Sequence, residues 1–270
     1  MSLPTWRSIL LWLPTYLWLL FVPKLTLALD ASSLPFDISK YTNSVDLIGD
    51  TKARIIVQTV GLITQHRPYE PATPLGLLLG LDASVEVTMV QFPTEFKSTI
   101  KAAGLTSIDN LPPAVPIPKL HIHKGVLPMV DLGASAFRYQ SYTIYGGDLK
   151  VGVYVPEEGP TFAVRLCYTQ SKLGYVTTKT WTPQMIMSRQ LSFADPYVGI
   201  GGQFVSGEIK ITQDILGYTL TLKKESHASS ADAFLGVAFK FGPLPLRIVL
   251  EGAYNTAKVN TMGVKFGVKL

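Results

Sequence analysis

Few residues in this chain could do chemistry, and their spacing narrows what that chemistry is. The histidines are His66, His121, His123 and His227. His121 and His123 lie two apart in the run Lys119 to Gly125, so an extended strand sets both on one face. Two imidazoles could in principle reach one metal ion. No Cys, Asp or Glu stands beside them at ligand spacing, and two ligands are too few for a zinc site. The expectation is no metal and no cofactor, with both rings packed inside the fold. His227 has serine neighbours at Ser226, Ser229 and Ser230, but a hydrolytic centre also needs a group that orients the imidazole. Loop composition explains that run equally well. Cys167 has no second cysteine to pair with and reads as a packed thiol. Gly199, Gly201 and Gly202 open no helix, so they form no phosphate loop; small residues there relieve crowding in a curved wall. Catalysis is not expected, and a hydrolase on the rim of the fold ranks last.

The elements that must position these residues are strands. In the closing stretch 260–270, Met262, Val264, Phe266, Val268 and Leu270 share one face, and Gly263, Lys265, Gly267 and Lys269 share the other. The apolar face runs to the last residue, as in the closing strand of a membrane barrel with lipid outside and a polar lumen inside. The same alternation starts at Leu75 and puts Asp82, Ser84 and Glu86 opposite Leu81, Ala83 and Val85. It recurs in 119–125 (Leu120 and Ile122 outward), 129–140, 142–155, 161–172, 181–191, 197–210, 233–242 and 246–256. Sorting by parity gives the expected lumen-facing set: Asp82, Glu86, His121, His123, Asp131, Asp148, Lys150, Arg165, Lys240, Arg247, Glu251, Lys265 and Lys269, to which Glu208 and Lys210 are added. These charges either pair across a narrow interior or line a water path, because an isolated buried charge is costly.

Composition agrees with this architecture. The chain has 270 residues, 47% hydrophobic and 16% charged, with one apolar run at the N-terminus. Arg7, the run from Ile9 to Val22 and small residues at Thr26 and Ala28 have the layout of a secretory signal, with cleavage expected after Ala28 and Ala31 as the alternative. Removing Arg7 and Lys24 lowers the net charge from +5 to +3, and the basic residues are scattered, so no nucleic-acid partner is expected. The domain reading is a signal peptide over 1–28, a periplasmic or plug segment over 29–74, and a barrel over 75–270. Apolar residues fall on both parities in 45–63, which fits a short helix, a strand or a tucked-in segment.

Connections test the topology. Counting back from Leu270, every second connection is short and contains proline: 243–245, 194–196, 156–160 and 126–128. The alternate set includes the long stretches 91–118 and 211–230. Outer-membrane barrels have short periplasmic turns and longer outer loops. The fold class is therefore an all-β, antiparallel, up-and-down transmembrane barrel of about ten strands, or twelve if 54–64 and 215–223 are also strands.

The stretch from Arg67 to Thr88, R-P-Y-E-P-A-T-P-L-G-L-L-L-G-L-D-A-S-V-E-V-T, followed by K-L-H-I-H-K-G from Lys119 to Gly125, resembles a family of uncharacterised bacterial outer-membrane barrels. A looser likeness, to fatty-acid transport barrels, rests on architecture. The resemblance implies fold and an outer-membrane location after secretion, and transfers no activity to named residues. A barrel this small should be narrow or plugged, since open porins have roughly 16 to 18 strands. The functional expectation is a porin-like or transport barrel, with the lipid bilayer as partner and a bound lipid or small apolar molecule as candidate ligand. The alternative is a structural protein acting through its outer loops or as a homo-oligomer that encloses lipid.

Overall fold

A computed structural model describes residues 49–102, 114–215 and 218–270. The expected signal peptide and the segment 29–48 lie outside the described residues. Helix α1 (Asp50–Thr64) comes first, then β1 (Leu81–Gln91), α2 (Thr94–Ala102), β2 (Ala114–Leu127), β3 (Val130–Tyr139), β4 (Tyr142–Tyr154), β5 (Pro160–Leu173), β6 (Val176–Arg189), β7 (Ala194–Ile215), β8 (Tyr218–Phe241), β9 (Leu244–Asn255) and β10 (Thr261–Lys269). Each strand pairs antiparallel with its sequence neighbours, and β1 pairs with β10 to close a ten-stranded barrel.

Period-two patterning decides which way each strand faces. In β5, Phe162, Val164 and Leu166 are exposed, while Ala163, Arg165 and Cys167 are buried. The same division holds in β10, where Met262, Val264 and Phe266 face out and Lys265 faces in. Outward residues such as Leu235 and Met262 are 68% and 67% exposed. With Leu120, Leu166, Met185, Ile200 and Leu250 they make an apolar outer face far larger than a water-soluble monomer carries.

Four expectations need correction. The first strand begins at Leu81, not Leu75: positive φ at Gly76 (+82°) and Leu79 (+60°) turns the chain, and Leu78 is left 91% exposed. Residues 54–64 are not the extra strand of the twelve-strand alternative but part of the helix 50–64, because Ala53, Val57, Val60 and Thr64 fall on one helical face and are buried. The stretch 211–230 is no loop, because β7 and β8 pair with each other out to Ile215 and Tyr218 while the β6–β7 pairing stops at Val176 and Ile209. Its polar content belongs to a hairpin that outreaches the other strands, and Glu208 and Lys210 lie on the hairpin's outward parity, not in the lumen. Glu208 there pairs with Lys223 at 2.9 Å, and the hydrogen bond from Lys223 holds the exposed Glu225 below the usual carboxylate range. Fourth, the turn expected at Ala194–Pro196 falls at 190–193, and Ala194 already opens β7.

Pro116 and Pro118 lie inside β2. They are tolerated because that part of the strand pairs with β1, while the pairing with β3 begins at Leu120. A missing N–H there interrupts no ladder bond to a second strand. The short connections 128–129, 155–159, 190–193 and 242–243 share one end of the barrel with Leu81 and Leu270. The long hairpin, α2, the β9–β10 connection and the two-residue turns 140–141 and 174–175 lie at the other.

The outward face gives a direct test. In lipid vesicles, Ile200→Lys should lower the free energy of unfolding by about 2–4 kcal/mol, the scale for a cation placed in the hydrocarbon. Denaturant titration of the variant measures it; an unchanged midpoint would remove Ile200 from the lipid-facing surface.

Candidate functional site

The lumen is filled by the chain itself. Helix α1 packs against β5, β6, β7 and β8 toward the hairpin end, where Asp50 pairs with Lys224. Its second half, Thr59 to Thr64, is buried all round. The chain then leaves the helix and runs extended through the interior as Gln65-His66-Arg67-Pro68-Tyr69-Glu70-Pro71-Ala72-Thr73-Pro74. With prolines at 68, 71 and 74 it forms no regular element, so its backbone groups need partners from the wall. Tyr69 takes a left-handed φ of +52°, a kink that aims its ring at β10.

The wall supplies those partners. Lys119 donates to Gln65 O at 2.7 Å, Lys265 to Pro68 O at 3.1 Å, and Lys150 to Pro71 O and Thr73 O, both at 3.1 Å. In the other direction, the N–H of His66 donates to Thr169 Oγ1 (2.7 Å), that of Ala72 to Ser188 Oγ (3.1 Å) and that of Leu75 to Asp131 Oδ1 (3.0 Å). The lumen lysines are thus hydrogen-bond donors to the plug backbone as well as charges.

Side chains complete three clusters. At the first, Glu70 sits among Lys265 (2.7 Å), Arg247 (3.4 Å) and Lys150 (3.9 Å), and Asp82 shares Lys265 at 3.1 Å. At the second, Arg67 reaches Glu251 and Asp232, both at 3.4 Å, and Tyr197 donates to Glu251 at 2.7 Å. Gln65, Gln203 and Asn255 extend that network. At the third, His66 Nε2 and His123 Nε2 both meet Asp148 Oδ1, at 2.7 and 3.1 Å, and His66 Nδ1 meets Ser135 Oγ at 2.6 Å. Glu86 joins that group, 2.9 Å from Lys119 and 2.8 Å from His121. Strand register prepares these contacts, since Glu86 stands opposite Lys265 on one side and Lys119 on the other. An apolar patch of Tyr69, Ala72, Ala163, Ile186, Phe234 and Val249 fills the lumen beside the charges.

The structure places Asp82, Glu86, His121, His123, Asp148, Lys150, Arg165, Arg247, Glu251 and Lys265 inside and buried. Lys240 is a rim residue, 36% exposed at its side chain, paired with Asp195 at 2.6 Å. Lys269 is partly buried next to the closing seam. Sequence reasoning missed the residues that meet this set: His66, Arg67, Tyr69 and Glu70 from the plug, with Lys119 and Asp232 from the wall. Lys119 has the same parity as His121, a signal available in the sequence. Asp232 has the parity of Gly236 and Ala238, and falls between the expected connection 211–230 and the expected strand 233–242. His227 is exposed on the outward parity of β8, opposite Ser206, away from the lumen cluster.

No family model matches the chain, and no curated protein matches it. Among solved structures it is similar to the KdgM porin in complex with disordered oligogalacturonate, at 9% identity over 70% of this chain and 99% of that one, with a TM-score of 0.36. It is also similar to outer membrane phospholipase A from Escherichia coli (10% identity, 74% and 98% of the two chains, TM-score 0.33) and to Neisserial surface protein A (9%, 70% and 96%, TM-score 0.29). Likenesses this remote carry no argument about activity, and the architecture rests on the strand pairing itself.

Glu70 holds the centre of the first cluster, so removing its charge strands buried cations. Glu70→Gln should cost about 3–5 kcal/mol in unfolding free energy, measured by denaturant titration in vesicles. Gly146→Val tests plug seating without touching a charge. A Cβ at Gly146 would lie 2.6 Å from His66 Cβ, so the variant should keep a β-rich circular dichroism spectrum while residues 65–74 become open to protease. Continued protection would mean the plug does not seat against β4.

Proposed function

We propose that the protein is a porin-like transport barrel of the bacterial outer membrane, held closed by its own N-terminal segment. The observation that carries this reading is the pairing of plug and wall: residues 65–74 occupy the lumen and take up the hydrogen bonds and charges that would otherwise line a water path. The apolar outer face supports an outer-membrane setting, and the end where β7 and β8 outreach the other strands is taken as the outer one. Closing the lumen explains why so many charges can be buried, since each has a partner at hydrogen-bond range.

Transport then requires the plug to move. Lipid or small apolar molecules are the ligand class proposed, supported by the apolar patch around Tyr69 and Phe234 inside the lumen and by the exposed leucines 77–79 at the short-turn rim. A non-enzymatic role fits the histidines, because His66, His121 and His123 are sealed away from any substrate at the rim. The hairpin favours a second reading, an interaction protein that engages a partner or another copy of itself through β7 and β8 beyond Ile209 and Lys224.

Single-channel recording in a planar bilayer tests the first reading. The wild-type protein should be silent. A variant in which a short Gly–Ser linker replaces residues 50–74 should give stable stepwise conductance, because the wall charges then face water. Steady conductance by the wild type would overturn the closed state, and silence of a folded linker variant would shift the role to the hairpin.

A further inference from the structure

The third cluster has a property that plugging alone does not explain. His66, His121 and His123 each offer a ring nitrogen, and these lie within 4.8 Å of one another. The ring centroids are 5.1, 5.7 and 6.2 Å apart. All three rings are buried. Nδ1 of His121 and Nδ1 of His123 have no hydrogen-bond partner, while Nε2 of His121 lies 2.8 Å from Glu86 Oε2. Buried polar atoms without partners are rare in folded proteins and call for an occupant, such as an ion or water.

From these contacts we infer that His66, His121 and His123 bind one zinc-class divalent cation, which fastens the plug to the wall. His66 comes from the plug and the other two from β2, so the ligand count left at two by the strand alone becomes three. The surrounding groups suit the ion. His66 and His123 each meet Asp148 through Nε2, the carboxylate–imidazole pairing that orients a ligating histidine and leaves Nδ1 for the metal. Ser135, on His66 Nδ1, is a rotatable hydroxyl that can yield that position. Glu86 and Asp148 bring two negative charges against the one ammonium of Lys119, an excess that a cation neutralises. Gly133 leaves the room required, since a Cβ there would fall 2.2 Å from His123 Cδ2. Tetrahedral zinc with nitrogens at about 2.0–2.1 Å needs them roughly 3.4 Å apart, so the three rings, stacked here at 16–29° to one another, must turn their edges toward the ion as it enters. The neighbouring group Glu70, Asp82 and His123 is a poorer candidate, because Lys265 already neutralises both carboxylates at 2.7 and 3.1 Å.

The test uses full-length protein without a polyhistidine tag, incubated with excess zinc and desalted. The wild type should retain about one equivalent of zinc by plasma mass spectrometry. His66→Ala should lose it while the unheated protein still migrates as a folded barrel. Cobalt in place of zinc should give the visible bands of a nitrogen-ligated tetrahedral site in the wild type and none in the variant. If His66→Ala fails to fold, His123→Gln replaces it with the same expectation. Zinc below about a tenth of an equivalent in folded wild type, or full retention by the variant, overturns the assignment. Neither outcome bears on whether the barrel conducts, so the site and the closed-pore reading can fail separately.

Discussion

An extended, proline-interrupted backbone cannot lie in a closed interior unless something else satisfies its carbonyls. Much else in this molecule follows from that constraint. Residues 65–74 belong to no helix or strand, and the prolines at 68, 71 and 74 remove N–H groups without removing any C=O. The segment therefore has a surplus of acceptors, and a wall rich in Lys and Arg is the complementary surface. Lys119, Lys150 and Lys265 each bond a plug carbonyl and a carboxylate at once. A single ammonium thus serves backbone and charge together, which a channel lining would not need.

The same constraint accounts for the small residues on the inner face. A plug needs volume as well as partners. Gly263 leaves space for the Tyr69 ring, whose hydroxyl reaches Thr88 at 2.6 Å on the neighbouring strand. Gly199 and Gly236 do the same for Phe234 and Tyr197. Read as strand residues, these glycines look like weak points. They are the sites where the wall thins so that aromatic rings can fill the interior.

How much of this was legible depends on whether the signal was local. Facing was legible in most strands, because parity alone separates Val264 from Lys265 and Leu120 from His121, but Glu208 and Lys210, expected inside, face out. The turns at one end were legible from prolines and spacing, with that at 194–196 displaced to 190–193, but the long outer loop expected over 211–230 was not there. The strand start was not, because the leucines at 75, 77 and 79 imitate the outward face of β1 until positive φ at Gly76 and Leu79 breaks the run. The hairpin was hidden by composition, since residues 223–230 are polar enough to read as loop although they pair with 203–210. The lumen cluster was half legible. The wall residues follow parity, but His66, Arg67 and Glu70 sit in a segment without periodicity, and their partners on the wall are 69 to 195 residues away in sequence.

The seam between β1 and β10 carries a consequence for assembly. The plug immediately precedes β1, and Lys265 of β10 holds Pro68 O, Glu70 and Asp82 together across a separation of up to 197 residues. Bringing such distant ends together costs about 5 kcal/mol in chain entropy before any ladder bond forms. Here the last strand meets more than a bare edge. It meets an edge backed by Glu70 and Asp82 and by the Pro68 carbonyl, all within reach of Lys265. The plug is then a tie as well as a stopper: the first and last strands are joined to each other through the segment they enclose.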